Sequence, residues 1–96
     1  MDPDEPIVIP IDGTLDLHTF QPREVKPLLR DYVEACLEEG VYELRIIHGK
    51  GRGVLRDIVH STLAKIPQVA SFELAGLAEG SWGATLVSLK RPAPAP

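Results

Sequence analysis

The stretch Glu43-Leu44-Arg45-Ile46-Ile47-His48-Gly49-Lys50-Gly51-Arg52-Gly53-Val54-Leu55 decides how this chain is read. A short apolar, β-branched run, the composition of a buried strand, passes into glycines at every second position and then into an amphipathic segment. Gly49, Gly51 and Gly53 allow the backbone to approach a ligand closely. The helix that follows offers unpaired N–H groups at its start, so strand, loop and helix together make a nest for an anion. His48, Lys50, Arg52 and, one turn into the helix, Arg56 put an imidazole and three cations where the negative charge would lie. The loop lacks the four-residue gap and the Gly-Lys-Ser/Thr ending of a Walker A sequence, and it does not fit the dinucleotide-binding glycine pattern.

Periodicity places the flanking elements. Thr14-Leu15-Asp16-Leu17-His18 alternates, which predicts a strand over 14–18 with Leu15 and Leu17 on one face and Asp16 and His18 on the other. A helix is predicted over 22–39, with Pro22 at its first position, Gly40 as its stop and a stripe of Val25, Leu28, Leu29, Tyr32, Val33, Cys36 and Leu37. Pro27 removes one backbone donor, so the reading expects a kinked or separate first turn and a regular helix from about Lys26. A second strand over 41–47 precedes the glycine loop. The helix after it, over 53–66, turns Leu55, Ile58, Val59, Thr62, Leu63 and Ile66 inward and ends at Pro67. Strands over 69–74 and 84–89 follow, separated by a glycine-bearing loop over 75–82. Ile7-Val8-Ile9-Pro10-Ile11 is β-branched but carries a proline, as an edge strand or an extended arm would.

The order β-α-β-α-β-β predicts an α/β (α+β sandwich) architecture. It has a four-stranded mixed sheet with two helices, and right-handed crossovers where neighbouring strands run parallel. A chain of 96 residues accommodates one such domain, expected over 13–90, with an extended or disordered acidic arm over 1–12 and a disordered Pro/Ala tail over 91–96.

A content of 44% hydrophobic and 25% charged residues fits a soluble globular domain and excludes a collagen, a coiled coil or a wholly disordered chain. The net charge of −4 argues against a purely non-specific nucleic-acid binder. Its distribution is uneven. Asp2, Asp4, Glu5, Asp12 and Asp16 precede any lysine or arginine, whereas Arg45, Lys50, Arg52, Arg56 and Lys65 face Asp57 alone. The single Cys36 falls at helical spacing with Leu29, Val33 and Leu37, the place of a small buried residue. The acidic, proline-bearing N-terminus is unlike a secretion signal, and no apolar run reaches membrane-spanning length, so a cytoplasmic protein without a membrane partner is expected.

Two clusters could carry chemistry. Asp16-x-His18 places a carboxylate and an imidazole on one strand face, where the Asp would orient the ring for proton transfer. His48 opens the glycine loop at a strand end, either to act on a ligand or to hold backbone groups of the turn. His60 lies beside the inward stripe of the second helix and reads as a satisfied helix-surface histidine. Trp82, flanked by glycines, either stacks on a base or covers the end of a small core. Three histidines and scattered acids show no metal-ligand spacing; no cofactor is expected, and divalent-metal dependence is left open.

Taken in order, Leu15-Asp16-Leu17-His18, Ile46-Ile47-His48-Gly49-Lys50-Gly51 and Gly83-Ala84-Thr85 resemble the Smr domain, the small MutS-related family. The resemblance covers about 13–89. It implies the fold of the C-terminal domain of translation initiation factor three and kinship with nucleases acting on DNA or RNA, some of them linked to recombination control or to stalled ribosomes. Asp16 and His18 match the family's Asp-x-His motif, and His48 to Gly51 its His-Gly-Lys-Gly loop. Thr19 stands where glycine commonly follows the first histidine. The resemblance thus implies Asp16, His18 and His48 as catalytic candidates and Gly49, Lys50, Gly51, Arg52, Gly53, Arg56 and Trp82 as a nucleic-acid-binding set. Its partner would be RNA or DNA, free or within the ribosome. The functions in competition are a phosphodiester endonuclease, a nucleic-acid or ribosome-binding module without chemistry, and a receptor for a small phosphorylated ligand.

Overall fold

Alternation along the first strand is realised as predicted, and the remaining elements follow in the expected order. The computed structural model describes residues 11–49, 53–75 and 83–92. Strand β1 (Thr14–Asp16) buries Leu15, with Leu17 just beyond it, and leaves Asp16 and His18 exposed. It is shorter than predicted. The Leu17 N–H still bonds the Ile47 carbonyl at 2.7 Å, but the chain then turns, with the Phe20 N–H returning to the Leu17 carbonyl at 2.9 Å. His18 therefore sits in a turn at the strand's end, a turn that closes with Thr19 in place.

Helix α1 (Pro22–Glu38) is opened by reciprocal bonds: the Gln21 N–H donates to Glu24 Oε2 at 2.8 Å and the Glu24 N–H to the Gln21 carbonyl at 2.9 Å. The separate first turn expected at Pro27 does not form, since the helix is continuous from Pro22 through Pro27. Only one ladder bond is forfeited, to the carbonyl of Arg23 in the exposed first turn, while Val25, Leu29, Tyr32, Val33 and Cys36 are buried along the stripe. Burial also raises the Cys36 thiol's pKa above its ordinary value, in keeping with a packing residue. Strand β2 (Glu43–Ile47) begins two residues later than expected, since the Val41 N–H is taken by the Cys36 carbonyl at 2.8 Å in closing the helix end.

Helix α2 (Val54–Leu63) is also shorter than predicted at its C-terminus. There the Lys65 and Ile66 N–H groups tighten onto the Thr62 and Leu63 carbonyls, yet Ile66 remains buried. Strands β3 (Val69–Leu74) and β4 (Ala84–Leu89) complete a sheet of order β1-β2-β4-β3, in which β1 and β2 are parallel and β4 is antiparallel to both neighbours. The mixed sheet with two helices matches the expectation. Leu15, Leu17, Leu44, Ile46, Val87 and Leu89 from the sheet meet Val25, Leu29, Val33, Val59 and Leu63 from the helices in one core. Each such side chain contributes about 1.5–3 kcal/mol. Thr14, Asp16 and Glu43, on the opposite face of the sheet, are exposed.

Gly13 ties this arrangement together. At φ +94° it donates its N–H to the Tyr32 hydroxyl at 3.1 Å and accepts from the Arg45 N–H at 2.6 Å. Among the described residues no helix is long and apolar enough to cross a membrane. The predicted arm at 7–10, most of the 75–82 loop and the tail at 93–96 lie outside the described residues.

Candidate functional site

Parallel pairing of β1 with β2 brings their C-terminal ends to one edge, and the antiparallel β4 starts at that same edge. The His48 and Gly49 N–H groups both reach the Gly83 carbonyl, at 2.9 and 2.8 Å. Segments far apart in sequence, around 16–18, 48–49 and 83–85, are thereby gathered in one place.

Asp16 and His18 form the tightest polar contact there. Asp16 Oδ1 accepts from the His18 backbone N–H at 3.0 Å and lies 2.5 Å from ring Nδ1. A carboxylate in that position accepts a hydrogen bond from Nδ1–H, so the neutral ring carries its lone pair on Nε2, turned away from Asp16. The hydrogen bond from His18 is the main cause that holds the Asp16 carboxyl below its ordinary pKa. Both side chains are open to solvent, His18 at 61% and Asp16 at 47% exposure.

His18 lines a cleft of about 300 Å³ together with His48, Gly49, Gly53, Val54, Leu55 and Arg56. Gly53 begins α2 with φ +82°, the left-handed region, and as a glycine it brings no side chain to cap this helix end. The first N–H groups of α2 are thus presented by residues that line the cleft. The Arg56 guanidinium lies against Gly53, close enough that an added Cβ would meet Nη2 at 2.6 Å, and its charge is only loosely matched by Asp57 at 3.4 Å. A cleft with an imidazole, a guanidinium and a helix N-terminus suits a phosphate group.

His48 is placed differently from His18. It is 4% exposed; Nδ1 donates to the Gly49 carbonyl at 3.0 Å, and Nε2 meets Thr85 Oγ1 at 2.9 Å. The geometry therefore corresponds to the turn-holding alternative for His48, at the border of the cleft. His60, read from sequence as a helix-surface residue, is partly buried, its Nε2 2.8 Å from the same Thr85 hydroxyl and its ring 5.1 Å from that of Phe72. Sequence reasoning missed this pairing. The available signal was Thr85 itself, a polar residue in the inward register of β4 with Val87 and Leu89, where a hydroxyl needs a partner.

The structure thus brings Asp16, His18, His48, Gly49, Gly53 and Arg56 to one edge, while Lys50, Gly51, Arg52 and Trp82 lie outside the described residues. Among the described residues no group of three or more His, Cys, Asp or Glu side chains converges as metal ligands would.

Comparison with known proteins points the same way. The sequence model of the Smr domain matches residues 15–90. Two proteins named endonuclease MutS2 align with the chain: that of Halothermothrix orenii at 36% identity over 83% of the chain, and that of Solidesulfovibrio magneticus at 41% over 79%. The chain spans only about a tenth (10%) of the length of these relatives. Among solved structures, the Smr domain of Thermus thermophilus MutS2 superposes with a TM-score of 0.77 at 32% identity, covering 81% of this chain and 98% of that one. YdaL, a stand-alone small MutS-related protein from Escherichia coli, superposes at 0.78 with 26% identity, covering 85% and 67%.

Proposed function

From the chain's membership of the Smr domain family we propose that it acts on nucleic acid as an endonuclease, cleaving phosphodiester bonds of RNA or DNA at the β1–β2 edge. The observation that carries this reading is the Asp16-oriented ring of His18 at the rim of a cleft that also holds the start of α2 and Arg56. Relatives named endonuclease and sharing more than a third of their aligned residues with this chain support it.

His18 supplies the base. With Nδ1–H held by Asp16, Nε2 removes a proton from the attacking oxygen, the neighbouring 2′-hydroxyl in RNA or a water on DNA. The oxygen bonds phosphorus as the 5′-oxygen leaves with a proton from solvent or from the imidazolium. Charge growing on the phosphoryl oxygens is met by the N–H groups at the head of α2 and by Arg56, with Lys50 and Arg52 of the intervening loop as further cations. His48 serves as a positioning residue that sets the direction of the Gly49 carbonyl. The experiment is cleavage of labelled single- and double-stranded RNA and DNA, with and without chelator, by wild type and His18→Ala. A loss of about a hundredfold or more is expected for the variant. Equal cleavage by both proteins refutes the assignment. Salt-dependent binding without cleavage at any enzyme excess selects a non-catalytic binding module instead.

A further inference from the structure

We propose that Thr85 and His60 are positioning residues of the phosphate cleft, joined to His48 in one directional hydrogen-bond chain that locks Gly49 to helix α2. The proposal takes the cleft as phosphate-binding from the reading above, but its central prediction, two fixed tautomers, is independent of that reading.

The direction follows from the donors available. The Gly49 carbonyl can only accept, so His48 Nδ1, 3.0 Å away, must carry a proton. In the neutral ring Nε2 is then an acceptor, and its partner at 2.9 Å, Thr85 Oγ1, must donate to it. The single hydroxyl proton is thereby used. His60 Nε2, 2.8 Å from the same oxygen, must therefore be the donor. The chain runs His60 Nε2–H to Thr85 Oγ1–H to His48 Nε2, and His48 Nδ1–H to the Gly49 carbonyl. Any other placement of protons on the two neutral rings leaves two donors or two lone pairs facing each other at one of these contacts.

Its position gives the chain a task. Thr85 is fully buried on β4, His48 directly follows β2, and His60 lies two turns along α2 from the Gly53 start. Gly49 and Gly53 line the same cleft, so the chain fixes the distance between the loop's first residue and the helix that closes it. Phe72 of β3 packs against the His60 ring at 5.1 Å and limits its rotation. Burial, then the neighbouring His48 and Arg56, lower the His60 pKa, partly opposed by Asp57, which keeps the ring neutral at neutral pH.

Long-range proton–nitrogen NMR on the imidazoles of the wild-type protein at neutral pH tests the direction without any substitution. The expected result is a single tautomer for each ring, with the proton on Nδ1 in His48 and on Nε2 in His60. A proton on Nε2 of neutral His48, or on Nδ1 of neutral His60, overturns the proposal. The functional part is read with Thr85→Val, which removes the hydroxyl at constant volume, and Thr85→Ser, which keeps it. Thr85→Val is expected to populate the second tautomer of His60, whose Nε2–H loses its acceptor while the Gly49 carbonyl still holds the His48 proton on Nδ1, and to weaken binding of a short labelled single-stranded RNA about fivefold, the equivalent of one hydrogen bond. Thr85→Ser is expected to restore both within about twofold. A folded Thr85→Val with wild-type tautomers and affinity overturns it as well. Absence of RNA binding by the wild type would instead count against the nucleic-acid reading, and the tautomers alone would decide this one.

Discussion

Replacing Gly53 by alanine tests whether the start of α2 works through its backbone or through Arg56. The backbone term comes from φ +82°, a conformation that costs a residue with a Cβ about 1–2 kcal/mol. The lower flexibility of alanine in the unfolded chain returns part of this, so a net loss of about 1 kcal/mol is expected, seen as a fall of about 4–8 °C in Tm. The second term is steric. A Cβ at Gly53 would sit 2.6 Å from Arg56 Nη2 and 3.1 Å from Cζ, so the guanidinium must swing away, which a flexible side chain does at little energetic cost. The cost falls on the ligand instead. Arg56 is 42% exposed, so its contact with a phosphate is screened, and about 0.5–1.5 kcal/mol, or two- to tenfold in Kd, is a fair magnitude. The assay is fluorescence anisotropy of a labelled RNA across the cycle of wild type, Gly53→Ala, Arg56→Ala and the double variant. If displacement of Arg56 is the mechanism, each single change weakens binding by a similar factor and the double variant is no weaker than Arg56→Ala. Should Gly53→Ala weaken binding by the same factor in the Arg56→Ala background, the glycine acts through the backbone path and the reasoning fails.

Other expectations follow from the same geometry. Gly13→Ala should destabilise the fold by about 2–4 kcal/mol in urea unfolding, because its Cβ would lie 2.9 Å from the Glu43 carbonyl at φ +94° and backbone cannot swing aside; an effect under about 1 kcal/mol would contradict the tie described for this residue. Asp16→Ala should lower the cleavage rate on the order of tenfold or more while leaving RNA affinity nearly unchanged, since the carboxylate orients the base without touching the ligand. Stability should fall on acidification in two windows. The lowered pKa of His60 favours the neutral folded ring, so its contribution is present above the ordinary value of 6.5 and is lost as pH falls toward the folded value. The lowered pKa of Asp16 gives a contribution present above its ordinary value of 3.8 and lost as pH falls through the folded one, at about 0.2–1 kcal/mol for so exposed a pair. Chemical denaturation between pH 7 and 5 (about the first window) should therefore show a shallower decline in His60→Gln, and an unchanged slope would contradict the buried placement of this ring.

Much of this architecture is legible in the sequence because periodicity is a local property. Leu15 and Leu17 alternate with Asp16 and His18, and the structure separates them to opposite faces. Element ends were less legible, since they depend on which backbone group takes which partner. The Val41 N–H goes to the Cys36 carbonyl rather than to a strand, and α1 passes Pro27 because the donor lost there served a carbonyl in an exposed turn. The Thr85 contacts were hidden for another reason. Residues 25 and 37 positions away meet at one hydroxyl, and their encounter depends on the sheet order β1-β2-β4-β3, which no local pattern encodes.

That sheet order also explains why three histidines of similar intrinsic chemistry take different parts. His18 falls in a turn beyond β1, at the rim of the cleft, and its ring remains exposed with Nδ1 committed to Asp16. His48 is two residues past Ile46, in the inward register of β2, so it is carried beneath α2, where both nitrogens find partners within the protein. His60 meets the same hydroxyl from the helix side. A base must offer a lone pair to something outside the protein, and a ring with both nitrogens used internally has none to offer without breaking a buried hydrogen bond, at about 1–3 kcal/mol. In the proposed reaction proton transfer therefore falls to His18, whose exposed ring commits only Nδ1 within the protein, while His48, with both nitrogens bonded internally, holds the Gly49 carbonyl in place.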